Sequence, residues 1–133
     1  MDAYNCDVYA TFAKLTGSKI PENQALDSLD FSGILFGEAS SPRTKYVYFH
    51  HVPMAYRSGN FKIHFETRER TRNPATGKYE PNMKHKKPLL FDLKNDPGEK
   101  NNIAASNPEI VVRLTKEYKE ALKALMSPNH KFQ

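Results

Sequence analysis

Residues 56–65 of this 133-residue chain, YRSGNFKIHF, combine a strand pattern with a turn sequence. The second half of this stretch alternates apolar Phe61, Ile63 and Phe65 with polar side chains, which is the period of a strand that buries one face. The Ser-Gly-Asn sequence at 58–60 has the composition and length of a hairpin turn. The stretch therefore predicts an antiparallel hairpin.

Further strands are predicted on either side of this hairpin. Residues 46–50, YVYFH, are rich in aromatic and β-branched side chains, which suit a pleated surface. Residues 89–93, LLFDL, form another strand that the turn sequence NDPG at 95–98 stops. Between them, residues 67–88 show no apolar periodicity and predict a long loop, a kind of segment that commonly carries function.

A helix is predicted at each end of the chain. The longer one spans 108–126 and buries an apolar stripe formed by Ile110, Val111, Leu114, Tyr118, Leu122 and Leu125. The shorter one spans 5–16, with Asp7 as N-cap and with Val8, Phe12 and Leu15 on its buried face. A connector, 18–42, follows the shorter helix.

This order of elements predicts the α+β class. We expect a small antiparallel sheet of three to four strands packed by the long C-terminal helix and preceded by a helix and connector. With 38% hydrophobic residues, the chain can bury one modest core. No long apolar run is present, so we expect no membrane span and no signal peptide. A single cysteine, Cys6, excludes an internal disulfide and a cysteine-based zinc site.

Positive charge is concentrated in one segment. The net charge is +5, but residues 57–87 alone carry nine Lys and Arg against three Glu. Such a segment favours an anionic partner. Nucleic acid is disfavoured, because Glu66, Glu69 and Glu80 interrupt the segment and no nucleic-acid module pattern matches.

Motifs for catalysis or metal binding are not apparent in the sequence. It contains no Gly-x-Ser-x-Gly and no Gly-rich phosphate loop. In regular β geometry, His50 and His51 point to opposite faces and cannot hold one metal, so no metal site is predicted. His64 lies on the polar face of its strand near Lys62 and is a candidate site residue.

Four stretches follow one another along the chain: DVYATFAKLTG (7–17), LDSLDFSGILFG (26–37), YRSGNFKIHF (56–65) and LLFDLKNDPGE (89–99). Together they resemble the sulfatase family, whose corresponding patterns are DLYPTLAxLAG, LDGxD followed by LLxG, RxGxxK, and LFDLxxDPGE. The resemblance is to arylsulfatase A-like enzymes, in the branch of the N-acetylgalactosamine-6-sulfatases. Ala10 stands where the family usually has Pro, and Ser28 where it usually has Gly.

The resemblance implies that this is the C-terminal part of a sulfuric ester hydrolase, with the catalytic domain missing from this chain. Residues 1–42 would be a helix and connector from the end of the catalytic domain, and residues 43–133 the C-terminal subdomain. Formylglycine, made from Cys or Ser in Cys/Ser-x-Pro-x-Arg, and calcium are implied for the full-length enzyme only. Cys6 is followed by Asp-Val-Tyr-Ala and does not match that motif. No residue of the chain is therefore predicted to be catalytic or to bind metal.

The resemblance also implies a partner and a substrate. The subdomain would pack on the catalytic domain and form the rim of the cleft for a sulfated substrate. The rim candidates are Arg68, Arg70 and Arg72, because guanidinium groups suit tetrahedral oxyanions, together with His64 on the polar face of its strand. The resemblance implies that the full-length enzyme is periplasmic, secreted or lysosomal. Independently of the resemblance, the many apolar residues of 8–36 predict that the chain self-associates. Two alternatives stay open, a freestanding basic module for a polyanion or nucleic acid and a fragment without function.

Overall fold

The computed structural model describes residues 4–22, 24, 27–68, 72–79 and 81–126. Its elements, in chain order, are α1 (Asp7–Thr16), α2 (Ser32–Leu35), β1 (Lys45–His50), β2 (Val52–Ser58), β3 (Phe61–Thr67), β4 (Met83–Asp92), one 3-10 turn (Ala104–Ser106) and α3 (Pro108–Leu125). The strands form one antiparallel sheet in the order β1-β2-β3-β4. The α+β prediction is confirmed.

The chain divides into two compact units. One unit is Met1–Thr44 with Lys123–Gln133, and the other is Lys45–Leu122. The first contains α1 and α2, and the second contains the sheet and most of α3. Of the helices that the structure describes, none combines the length and apolarity that a membrane crossing requires.

The β2–β3 hairpin forms at the predicted turn. Ser58 pairs with Phe61, and Gly59 takes a φ of 59°, a left-handed conformation that glycine adopts without a Cβ clash. Register then places Ile63 between Tyr56 and Leu90, so these three side chains lie on one face. The alternation read from the sequence thus fixes which face the sheet buries.

The core of the second unit lies between that face and α3. It is built from Tyr56, Ile63 and Leu90 of the sheet and from Leu114 and Tyr118 of α3, all of which are buried. The ring of Tyr118 stacks on Phe65 with centroids 4.2 Å apart, and its hydroxyl donates to the Pro53 carbonyl at 3.1 Å.

At the margin of this core, the Glu117 carboxylate of α3 forms hydrogen bonds with the sheet. Glu117 accepts from the hydroxyls of Ser58 at 2.8 Å and Tyr56 at 3.3 Å, and it pairs with Arg113 of its own helix at 2.9 Å. This bonding helps to hold the pKa of Glu117 below its ordinary value, although burial opposes the shift as the largest single contribution.

The last strand is longer than the sequence predicts. A strand was expected at 89–93, but β4 begins at Met83, and Arg72 forms an isolated bridge with Tyr79 inside the expected loop. The first half of β4 lies at the sheet edge and exposes Lys84, Lys86 and Lys87. Because lysines are common on exposed edges, this half carries no apolar alternation that could reveal a strand.

In the first unit, the prediction that Val8, Phe12 and Leu15 form the buried face of α1 is wrong. Phe12 is 62% exposed, and Val8 and Leu15 are exposed as well, whereas Ala10 and Thr11 are buried. The helix begins at Asp7 with Cys6 as its N-cap, so the prediction that Asp7 is the cap is also wrong.

Polar bonds with the connector explain which face of α1 is covered. Asp7 accepts from the backbone N–H of Leu29 at 2.9 Å and pairs with the guanidinium of Arg43. Ala10 donates its N–H to Ser28 Oγ at 2.9 Å. The two positions that depart from the sulfatase pattern, Ala10 and Ser28, therefore contact each other, because Ala supplies an N–H that Pro lacks and Ser supplies the acceptor.

Candidate functional site

His64 lies in a half-buried ion cluster on β3. Its Nε2 is 2.6 Å from Glu99 Oε2, and the Nζ of Lys62 is 2.6 Å from Glu99 Oε1. Because a carboxylate only accepts hydrogen bonds, His64 donates through Nε2. The ring of Phe91 meets the imidazole edge to face, with centroids 5.6 Å apart.

The protonation state of His64 follows from its surroundings. Burial, and then the positive charge of Lys62, lower the pKa of His64 below its ordinary value of 6.5, and Glu99 opposes them. The Glu99 carboxylate does not raise the pKa of His64 above its ordinary value, because burial and the Lys62 ammonium together outweigh it. His64 is therefore neutral at pH 7, and its bonds tie it into the fold.

Glu99 is the residue of this cluster that sequence reasoning missed. It ends the LLFDLKNDPGE stretch and adopts a positive φ of 53°, unusual for a residue other than glycine. Its partners lie 35 and 37 residues earlier, in the YRSGNFKIHF stretch. Two of the four stretches that carry the resemblance thus contact each other, a pairing that spacing alone does not reveal.

Arg68 follows β3 immediately and lies in a different set of contacts. Its guanidinium carbon is 5.0 Å from the centroid of the Tyr79 ring, within cation–π range. Its Nη1 hydrogen-bonds to His50 Nε2, at the end of β1. Since an arginine only donates, this nitrogen of His50 accepts. Arg68 thus joins the β1–β2 turn to the loop between β3 and β4.

Arg72 is fixed near the same tyrosine. Its backbone pairs with Tyr79 in an antiparallel bridge, and its Nε donates to the Gly77 carbonyl at 2.6 Å. The turn between them is closed by Asn73, whose carbonyl accepts from Gly77 N at 2.8 Å. Arg68 and Arg72 are therefore brought together around Tyr79.

Of the other rim candidates, the structure describes only His64, which lies elsewhere. His64 belongs to the cluster with Lys62 and Glu99 described above. Arg70 lies outside the described residues. Of the three rim candidates that the structure describes, Arg68 and Arg72 share a location and His64 does not.

The two adjacent histidines do not follow regular β geometry. His51 alone separates β1 from β2 and takes a φ of 63°. The rings of His50 and His51 consequently meet at 4.6 Å between centroids, which corrects the expectation that they point to opposite faces. Even so, the described ranges contain no group of three or more His, Cys, Asp or Glu side chains that could hold a metal ion.

Comparison with known proteins identifies relatives for most of the chain. Residues 40–133 match the family model for the C-terminal region of aryl-sulfatase. Arylsulfatase A of Bos taurus is 36% identical, over 92% of this chain and 26% of that protein. The N-acetylgalactosamine-6-O-sulfatase of Bacteroides thetaiotaomicron is 32% identical, over 82% of this chain and 21% of that protein.

Solved sulfatase structures share the fold of this chain. A structure from work on glycosaminoglycan metabolism by Bacteroides thetaiotaomicron covers 86% of this chain, at 29% identity and a TM-score of 0.62. A Pseudoalteromonas sp. sulfatase covers 88% at a TM-score of 0.69, and at 22% identity this likeness concerns the fold alone. The chain spans about a quarter of the length of the proteins it matches.

Proposed function

We propose that this chain, which belongs to the sulfatase family as the C-terminal region of an aryl-sulfatase, packs on a sulfatase catalytic domain and lends the β3–β4 loop to the rim of its substrate cleft. The whole enzyme would hydrolyse a sulfuric ester. The observation that carries the rim proposal is the gathering of Arg68 and Arg72 around Tyr79.

The chemistry of these arginines suits a sulfate group. A guanidinium has five N–H donors in a planar fork that matches tetrahedral oxyanions. Arg68 uses Nη1 for His50 and Arg72 uses Nε for Gly77, so each is held by the fold with further donors to offer. Arg72 is exposed and Arg68 half-buried, which lets a ligand approach both.

Packing on a catalytic domain is supported by the first unit. Its helix α1 exposes the apolar stripe of Val8, Phe12 and Leu15, and Leu35 and Phe36 are exposed after it. Exposed apolar patches mark interfaces. The family model begins at residue 40, so α1 lies ahead of the C-terminal region proper. We therefore retain the proposed division into residues 1–42, from the end of the catalytic domain, and 43–133.

Formylglycine and calcium do not fit the described residues of this chain. Cys6 lacks the modification motif, and burial is the main reason that the pKa of its thiol is raised. No metal-ligand group of sufficient size is found in the described part. We assign both groups to the catalytic domain of the whole enzyme, whose location we propose is periplasmic, secreted or lysosomal as in the family.

The rim proposal is tested by polyanion binding. The chain should bind a sulfated polysaccharide at low salt and lose affinity steeply as salt is raised, because exposed charges are screened over about 8 Å at physiological ionic strength. The double variant Arg68→Gln/Arg72→Gln should bind about tenfold more weakly, since exposed ion pairs contribute roughly 0 to 1 kcal/mol each.

The matched control removes two charges elsewhere. Lys116 and Lys119 are exposed on α3, so Lys116→Gln/Lys119→Gln changes the net charge equally. This control should bind almost as the unmodified chain does. Equal losses in the two variants, or equal affinity for DNA of matched charge, would favour a freestanding basic module over a sulfate-reading rim.

A further inference from the structure

His50 lies at the end of β1 and contacts one of the two arginines of the rim. It pairs with Val52 across a turn that consists of His51 alone. His50 is half-buried and His51 is exposed with a φ of 63°, and their rings meet at 4.6 Å between centroids. The turn therefore carries two adjacent imidazoles, to which the rim proposal assigns no role.

The contact between His50 and Arg68 fixes the protonation state of His50. Nη1 of Arg68 hydrogen-bonds to Nε2 of His50, and a guanidinium has only donors. Nε2 is therefore the acceptor, so it carries no hydrogen and the single ring proton is on Nδ1. In a protonated imidazole, both nitrogens are donors. Protonation of His50 and this hydrogen bond with Arg68 consequently exclude each other.

Positive and titratable groups contact His50 from two elements. Arg68 comes from the end of β3, and His51, which can also take up a proton, comes from the turn. Glu66, two residues before Arg68 on β3, is engaged with Lys84 of β4 at 3.6 Å. An anion bound beside Arg68 would offset the repulsion between Arg68 and a protonated His50.

We infer that His50 is a positioning residue of the sulfate site, which holds Arg68 while the imidazole is neutral and releases it on protonation. The inference rests on the proposed function, because it assumes that Arg68 binds sulfate. Protonation frees Nη1 of Arg68 for the anion and gives Nε2 of His50 a hydrogen to donate to the same anion.

The release does not detach Arg68 from the rim. Its guanidinium carbon lies 5.0 Å from the centroid of the Tyr79 ring, and this cation–π contact does not involve His50. Arg68 is therefore expected to stay beside Tyr79 when His50 is protonated, with one more N–H available. Sulfate should then bind more tightly in acid than at neutral pH.

The test follows the His50 ring and the binding of inorganic sulfate by NMR, with sodium chloride used to keep the ionic strength constant. Without sulfate at pH 7.5, the ring-nitrogen signals should show the His50 proton on Nδ1. Sulfate affinity should be about fivefold higher at pH 5.5 than at pH 7.5, because protonation adds a charge-assisted hydrogen bond. Since the coupling is reciprocal, bound sulfate should raise the pH at which His50 takes up its proton by about one unit.

The two neighbouring histidines supply the variant and its matched control. His50→Gln keeps an acceptor for Arg68 but cannot be protonated, so its sulfate affinity should lose most of the pH dependence. His51→Asn removes the other imidazole of the turn, and asparagine suits the positive φ of that position. This control should therefore keep the pH dependence of the unmodified chain.

The outcomes separate this inference from the proposed function. Equal sulfate affinity at the two pH values, or the same pH dependence in His50→Gln and the unmodified chain, overturns the role of His50 while the sulfate-binding rim stands. A His50 proton found on Nε2 at pH 7.5 overturns it as well. If sulfate does not bind saturably at either pH, both the inference and the proposed rim are overturned.

Discussion

At the scale of single residues, ion pairs hold distant parts of the sequence together. Asp7 and Arg43 join α1 to the segment before β1, and Glu99 joins the loop after β4 to Lys62 and His64 of β3. The periodicity of the sequence cannot predict such ion pairs, because each pair brings together positions more than thirty residues apart. The sequence alone identified His64 as a candidate site residue, but it did not identify Glu99 as its ion-pair partner.

The lowered pKa of His64 makes stability depend on pH. In the unfolded chain, His64 takes up a proton near pH 6.5. In the folded chain, it does so only at a lower pH, because burial and Lys62 lower its pKa. Glu99 opposes this shift, and His85 adds a smaller repulsion. The free energy of unfolding should therefore decrease as the pH falls below 6.5, until the folded pKa is reached.

Chemical unfolding at pH 7.5 and 5.5 checks this expectation. His64→Gln keeps an N–H donor for Glu99 but does not titrate, so its stability should change less between the two pH values than that of the unmodified chain. If the unmodified chain and this variant lose equal stability, the pKa of His64 is not lowered in the folded state.

At the scale of elements, sequence patterns predict those helices and strands whose structure depends on residues within the same element. The β2–β3 hairpin and α3 were predicted because their turn, alternation and apolar stripe lie within each element. The first half of β4 was missed because an exposed edge tolerates lysines. The face of α1 was assigned wrongly because its cover is a connector bound through Asp7, Ala10 and Thr11, not an apolar partner.

The packing of α3 predicts unequal effects along the helix. Leu114 is completely buried against Ile63 and Leu90, so Leu114→Ala should lower the free energy of unfolding by roughly 2 to 5 kcal/mol. Leu122 is only half-buried, and Leu122→Ala should cost less. Lys116→Ala, on the exposed face, should scarcely change the urea midpoint. Similar losses at all three positions would contradict the packing of α3 by this stripe.

At the scale of the whole molecule, the first unit leaves an apolar surface without a cover among the described residues of that unit. Val8, Phe12 and Leu15 are exposed along α1. We expect the isolated chain to self-associate through this stripe, because identical copies can cover each other's apolar surface. Sedimentation should show a mass that grows with concentration.

A single substitution tests which surface is responsible. Phe12→Ser should shift the sedimentation equilibrium toward monomer, whereas Val112→Ser, at an exposed site of α3, should not. A chain that stays monomeric at high concentration, or one that responds equally to both substitutions, would contradict self-association through α1.

If Arg68 and Arg72 form a sulfate-binding rim, their side chains should respond when sulfate is added. The Nε–H resonances of the chain can be recorded by NMR while inorganic sulfate is added. Saturable shifts are expected at Arg68 and Arg72, whereas Arg113, engaged with Glu117, should stay unchanged. Equal, non-saturating shifts at all arginines, or none at Arg68 and Arg72, would contradict a sulfate-binding rim.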